Sequence, residues 1–135
     1  MKEKETMKTR VLIVDDHQMF CSGLKSLIAL QNDMEIVGEA ENGQDAVSKT
    51  RMLHPDVILM DVSMPVMDGI EATRRIITEL PDTKILALSM SSDARSRSDM
   101  MRAGARKYLL KDGDIEELTA AIRDAADSGN SQSLQ

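Results

Sequence analysis

Aromatic residues and cysteine are nearly absent from this sequence. Phe20 and Tyr108 are the only aromatics, which leaves little to stack on a flavin, a nicotinamide or an exposed base. The single cysteine, Cys21, has no intrachain partner, and no CxxC motif exists to hold zinc or run thiol exchange; a reducing cytoplasm fits. Apolar runs are only a few residues long, and the charged stretch from Met1 to Arg10 lacks the apolar core of a secretory signal, so neither membrane spanning nor secretion is expected. Positive charge is also short: 17 Lys and Arg stand against 23 Asp and Glu, a net charge of −6 that repels phosphate backbones and argues against direct nucleic-acid binding. What remains is an ordinary globular balance, with 41% hydrophobic and 30% charged residues over 135 positions, enough for one domain around one core. The eleven methionines are expected to fill gaps in that core, and Cys21 to be a small packing or surface residue.

Continuous apolar runs at Val11 to Val14, Val57 to Met60, Ile85 to Leu88 and Tyr108 to Leu110 read as strands buried on both faces, the pattern of a parallel sheet. Met34 to Ala40 alternates in part and reads as an edge strand. Between them lie stripes of helical spacing: Phe20, Leu24, Leu27 and Ile28; Ala46, Val47, Thr50 and Leu53; Ile70, Thr73, Ile76, Ile77 and Leu80; and Ile115, Leu118, Ile122 and Ala125. Asp93 to Ala103 is helix-length, but only Ala94, Met100, Met101 and Ala103 are apolar, so its hold on the sheet is expected to be weak. Asp16 is placed to cap the first helix and Gly104 to end the fourth. Five strands alternating with five helices predict a single three-layer α/β/α sandwich over residues 9–127, an α/β fold. The flavodoxin-like order 2-1-3-4-5 places the alternating second strand at an edge. Residues 1–8 are expected to be a disordered N-terminal segment and 128–135 a linker or disordered tail.

In such sheets chemistry gathers at the carboxyl ends of the strands. The first strand runs into Asp15 and Asp16, the third into Asp61, the fourth into Ser89 and the fifth into Lys111. Three carboxylates converging on one crevice repel one another and call for a cation, and Mg²⁺ suits carboxylate oxygens while leaving room for a phosphoryl oxygen. The Ser89 hydroxyl and the Lys111 ammonium suit the other phosphoryl oxygens. Asp61, central in this order, is then the acceptor of a phosphoryl group, and Asp15 and Asp16 hold the metal.

The segments VLIVDDH (Val11 to His17), DVILMDVSMPVMDG (Asp56 to Gly69), ILALS (Ile85 to Ser89) and YLLKD (Tyr108 to Asp112) resemble the receiver domain of bacterial two-component response regulators, over about Thr9 to Asp127. The resemblance supplies part of the case for the strand order. It implies that Asp61 is the phosphoacceptor, that Asp15 and Asp16 are the acidic metal pair, and that Ser63 offers its backbone carbonyl to Mg²⁺. It also implies that Ser89 and Lys111 bind the phosphoryl group and that Tyr108 is an aromatic switch following Ser89. His17 after the acidic pair and Asp112 after the lysine resemble the NarL/FixJ subfamily, many members of which carry a LuxR-type helix-turn-helix domain. No such domain is expected within these residues, and the linker-like tail after Asp127 favours a truncated regulator over a complete one. The implied function is a phosphorylation-dependent switch fed by a sensor histidine kinase, able to form a homodimer on phosphorylation, with transcription as its output. Such a chain is no enzyme beyond promoting its own phosphorylation and dephosphorylation. Met90, after Ser89, is bulkier than the small residue usual in the family and is expected to obstruct the phosphoryl pocket.

Taken singly, Asp15 and Asp16 are a helix cap and its solvated neighbour, Asp61 is a turn residue, and Ser89 and Lys111 are surface chemistry. Their coincidence at successive strand ends is what those separate readings do not explain. For Tyr108, switch and plain structural roles stand level on the residues alone. His17 and His54 are separated by a strand and a helix with no cysteine nearby, so both are read as solvated and no zinc site is expected. Arg74, Arg75, Arg95, Arg97, Arg102 and Arg106 read as solvated faces. Three rivals differ in class. A receiver-shaped binding module that is never phosphorylated is motivated by Met90. A phosphatase of the haloacid dehalogenase type would need a second aspartate two residues past Asp61, where Ser63 stands. A flavodoxin would need a Ser/Thr/Gly-rich loop after the first strand, where Asp15, Asp16 and His17 stand.

Overall fold

The computed structural model describes residues 7–64 and 66–133, with side chains as far as Asp127. Five strands, β1 (Thr9–Val14), β2 (Met34–Ala40), β3 (Val57–Asp61), β4 (Lys84–Ser89) and β5 (Lys107–Leu110), alternate with five helices. These are α1 (Gln18–Ala29), α2 (Gly43–Leu53), α3 (Gly69–Glu79), α4 (Ala94–Ala103) and α5 (Ile115–Ser133). The strands form one parallel sheet in the order β2-β1-β3-β4-β5, as the sequence pattern predicts.

Strand alternation divides the core into two layers. Val11, Ile13, Val57, Leu59, Leu86, Leu88 and Leu109 face α1 and α5, where Leu24, Ile28 and Ile122 pack on them. Leu12, Val14, Ile58, Met60, Ile85, Ala87 and Tyr108 face α2, α3 and α4. Every residue of β3 is buried, because it lies mid-sheet between two helical layers. The fourth helix buries only Met100 and Ala103, in keeping with its sparse stripe.

Capping follows local chemistry in most places. Asn42, Asp68 and Asp93 accept backbone N–H bonds from the first turns of α2, α3 and α4. Gly104, at φ +123°, ends α4, and His54 ends α2 with φ +48°. The first helix departs from expectation: its cap position is His17, with no side-chain cap bond, and Asp15 rather than Asp16 accepts the His17 N–H at 2.8 Å. The helix begins one residue later than a capping Asp16 would need, and Asp16 is left beside the site.

At the C-terminal end, the backbone of residues 128–133 continues α5 where a linker or disordered tail is expected; Leu134 and Gln135 lie outside the described residues. No proline interrupts that stretch, and extending a nucleated helix through one glycine costs only about 1 kcal/mol. Of the expected disordered N-terminal segment, residues 1–6 lie outside the described residues; Met7 and Lys8 are exposed and precede β1 without regular structure.

Candidate functional site

Register builds the site. Val14 pairs with Met60, so the next residues, Asp15 and Asp61, emerge side by side; Asp61 pairs with Leu88, and Ser89 pairs with Leu110, so Ser89 and Lys111 follow on the same rim. Continued alternation directs Asp15, Asp61 and Lys111 toward the α1/α5 layer and Ser89 toward the other. A cavity of about 290 Å³ opens at this rim, bordered by His17, Asp61, Ser63, Ser89, Met90 and Lys111.

The buried centre holds two carboxylates and one ammonium. Lys111 Nζ lies 2.6 Å from Asp15 Oδ2 and 3.3 Å from Asp61 Oδ1, and the three side chains are 3%, 2% and 5% exposed. The Phe20 ring places its centroid 5.0 Å from the same ammonium. One cation shared by two buried acids leaves negative charge in excess. Burial and the Asp15 charge accordingly push the Asp61 carboxyl up to about 6, against the opposing pull of Lys111 and of the Ser63 backbone N–H that bonds to it. Asp61 Oδ2 is buried without a hydrogen-bond partner.

Of the residues the sequence points to, Asp15, Asp61 and Lys111 meet directly, and Asp16 stands at the rim with its side chain 33% exposed. Ser63 is exposed beside Asp61. The Ser89 hydroxyl accepts the Ser91 N–H at 3.1 Å, and the Tyr108 hydroxyl donates to the Ser91 carbonyl at 2.9 Å, so one loop residue joins both side chains. Tyr108 is buried and lies 5.6 Å from the Arg97 guanidinium, which is therefore more than a solvated charge. Met90 borders the cavity but is 73% exposed, so it flanks the mouth and does not fill the pocket. Cys21 is buried, and burial together with the Asp15 charge raises its thiol to about 11, which removes it from thiolate chemistry.

Sequence reasoning misses three participants. His17, expected to be solvated and not part of a zinc site, is solvated, with a ring that is 62% exposed, and its Nδ1 also lies 2.9 Å from Asp15 Oδ1 and 3.5 Å from Asp16 Oδ1. Its position directly after two aspartates is the available signal. Phe20 carries no signal beyond its helical stripe. Gly69 begins α3 against Asp61, where an added Cβ would stand 2.1 Å from the Asp61 carbonyl oxygen.

Ligand atoms of Asp15, Asp16, His17 and Asp61 all lie within 4.8 Å of one another. Hard carboxylate oxygens, excess negative charge and the unpaired Asp61 Oδ2 fit a divalent cation. Among the described residues no helix is long and apolar enough to cross a membrane.

Comparison with known proteins identifies the family and supports the fold. A family model described as the response regulator receiver domain matches residues 11–123. The transcriptional regulatory protein DegU of Brevibacillus brevis is 40% identical over 122 residues, which is 90% of this chain and 52% of DegU. LiaR of Bacillus subtilis, another transcriptional regulatory protein, is 45% identical over 117 residues, 87% of this chain and 56% of LiaR. The chain thus spans about half the length of these relatives. A crystal structure of a LuxR-family two-component response regulator from Aurantimonas sp. SI85-9A1 superposes with a TM-score of 0.85 at 31% identity, covering 90% of this chain and 86% of that one.

Proposed function

The chain belongs to the response regulator receiver domain family, and on that premise we propose that Asp61 accepts a phosphoryl group from a phosphohistidine of a sensor kinase. The observation that carries this reading is the Asp61 carboxylate itself: buried at the end of the central strand, bordered by a cavity, with Oδ2 unpaired and an ammonium 3.3 Å from Oδ1. A carboxyl titrating near 6 is largely ionised at neutral pH and so available as a nucleophile. As an Asp61 oxygen bonds to phosphorus the P–N bond breaks, its electron pair returns to the departing imidazole, and an acyl phosphate remains on Asp61.

Asp15, Asp16, Asp61 and the Ser63 backbone carbonyl are the residues that would hold Mg²⁺. When bound, the ion neutralises charge on the phosphoryl oxygens and the carboxylates. Lys111 supplies a fixed positive charge toward a second phosphoryl oxygen, and the Ser89 hydroxyl a hydrogen bond toward a third. A Ser89 hydroxyl that turns toward the phosphoryl group gives up the Ser91 N–H, and Ser91 is also the acceptor of the Tyr108 hydroxyl. Phosphorylation thereby biases the 90–93 loop and Tyr108 together, re-presenting the α4/β5/α5 surface to a partner or a second copy of the chain. The relatives' names as transcriptional regulators support a transcriptional output exerted outside this domain. Autodephosphorylation is hydrolysis at the same site: a water oxygen bonds to phosphorus, the bond from phosphorus to the Asp61 oxygen breaks, and inorganic phosphate leaves the restored carboxylate.

Incubation with acetyl phosphate and Mg²⁺ tests the reading. A mass increase of about 80 Da, lost in Asp61→Asn, is the expected result; an unlabelled wild-type chain, or labelling that persists in Asp61→Asn, would leave the never-phosphorylated binding module as the better account.

A further inference from the structure

His17 stands where an additional metal donor would stand. Its backbone N–H and its Nδ1 both meet Asp15 Oδ1, at 2.8 and 2.9 Å, so the ring is fixed against the acidic pair although it is largely exposed. Donors about 2.1 Å from a cation and at right angles to one another lie about 3.0 Å apart, and trans donors roughly 4.2 Å. The 2.9 Å contact of Nδ1 with Asp15 is a hydrogen bond in which Nδ1 carries the proton; a cation that displaces this proton finds the two donors already near the first of these spacings, and the 3.5 Å to Asp16 and the overall spread of 4.8 Å close on a shared ion with small side-chain movements. The buried, unpaired Asp61 Oδ2 independently marks the cluster as short of a positive partner. Lys111, 3.4 Å from Nδ1 and paired with Asp15, occupies the inner side of the same space, which leaves the outer side, toward His17 and Asp16, as the direction of approach for an ion.

Carboxylate oxygens alone suit Mg²⁺, whereas an imidazole nitrogen suits the borderline ions Mn²⁺, Co²⁺, Ni²⁺ and Zn²⁺. We propose that His17 Nδ1 is a donor to the cation site, so that the site accepts these transition-metal ions in a mixed nitrogen and oxygen set and binds them more tightly than Mg²⁺ by a margin that depends on His17. This inference rests on the divalent-cation reading given under the proposed function and extends it to the class of ion accepted. Its consequence is that such ions compete with Mg²⁺ at the centre that holds Asp61.

The test measures binding of Ni²⁺ and Mg²⁺ separately to the 135-residue chain by calorimetry, at mildly alkaline pH where imidazole is neutral, and records pulsed electron paramagnetic resonance of bound Mn²⁺. Wild type is expected to show hyperfine coupling from a directly bound nitrogen. His17→Ala is expected to lose that coupling and to lower the ratio of Ni²⁺ to Mg²⁺ affinity on the order of tenfold, with Mg²⁺ affinity changed by less than about threefold; His17→Gln, which keeps a polar side chain, is expected to behave alike. Asp16→Asn is expected to weaken both ions. An unchanged affinity ratio in His17→Ala, or no nitrogen coupling in wild type, overturns the role of His17 and leaves the Mg²⁺ site standing. Failure of wild type to bind either ion overturns both readings.

Discussion

The Asp61 carbonyl oxygen fills the space where a side chain on Gly69 would begin: an added Cβ would lie 2.1 Å from it, and 3.0 Å from the Val62 Cα. The Gly69 N–H also bonds to the Val62 carbonyl at 3.0 Å, so the start of α3 is laid directly on the backbone that carries the acceptor. Gly69→Ala must therefore push Asp61 and α3 apart. The expected cost is about 1–3 kcal/mol of stability, outweighing the gain of about 1 kcal/mol that alanine brings to a helix. Urea denaturation reads the stability, and acetyl phosphate labelling is expected to slow as Asp61 shifts from Lys111; wild-type stability together with wild-type labelling would count against the contact.

Phe20 and Lys111 form the second relationship. The ammonium sits 5.0 Å from the ring centroid while serving both Asp15 and Asp61. Phe20→Leu keeps apolar volume against the core and removes the π face, worth about 0.5–1 kcal/mol of cation placement. Labelling of Asp61 is expected to slow about two- to fivefold, with urea stability reduced by less than about 1.5 kcal/mol. An unchanged rate would mean that the two carboxylates alone fix Lys111.

The fold and the site differ in how far the chain displays them. The central strands are legible because a strand covered on both faces must be apolar throughout, and β3 is buried at every position. The second strand declares its edge position through its mixed pattern. Once the order is known, adjacency of Asp15, Asp61, Ser89 and Lys111 at the rim follows from parallel register. What depends on the path of a loop or on side-chain reach is invisible to those arguments. Nothing near Gly69 signals that its neighbour in space is the Asp61 carbonyl, and Phe20 is one stripe residue among several until Lys111 is brought against it. His17 escapes a reading that weighs a lone histidine against a zinc cluster and not against the two aspartates before it. The composition of 128–133 suggests a linker, but without a proline it does not stop a helix already running.

Removing the Ser91 anchor tests the coupling between Ser89 and Tyr108. Tyr108→Phe deletes the hydroxyl that donates to the Ser91 carbonyl while keeping the buried ring. A loss of about 0.5–1.5 kcal/mol in stability is expected, with faster hydrogen exchange at the 90–93 amides in the unphosphorylated chain. Exchange indistinguishable from wild type would show that the loop is held without Tyr108.

Divalent cations are expected to stabilise the fold. Asp15 and Asp61 share one ammonium, Asp16 stands beside them, and the excess charge is relieved by an ion bound to the native state only. Saturating Mg²⁺, at about 100 times its dissociation constant, adds about 2.7 kcal/mol, visible as a higher Tm in a thermal scan. Asp16→Asn is expected to blunt the shift, and a Tm indifferent to millimolar Mg²⁺ would argue against cation binding here.

The pH dependence of the metal-free chain follows from the same charge imbalance. Asp61 titrates at about 6 in the folded chain against 3.8 as its ordinary value, so folding favours its protonated form. The stability this provides is fully present below 3.8, declines as pH rises between 3.8 and about 6, and is gone above that. At neutral pH the ionised carboxylate is thus a burden, of at most about 3 kcal/mol at 1.36 kcal/mol per unit. Asp61→Asn removes the burden and leaves Lys111 paired with Asp15 alone, one charge against one. The variant is expected to be more stable than wild type at pH 7, by about 1–3 kcal/mol, with the advantage shrinking as pH falls toward 4. Urea denaturation across that range, in the presence of chelator, measures it. A variant less stable than wild type at pH 7 would mean that Lys111, not Asp61, is the group whose charge is left uncompensated.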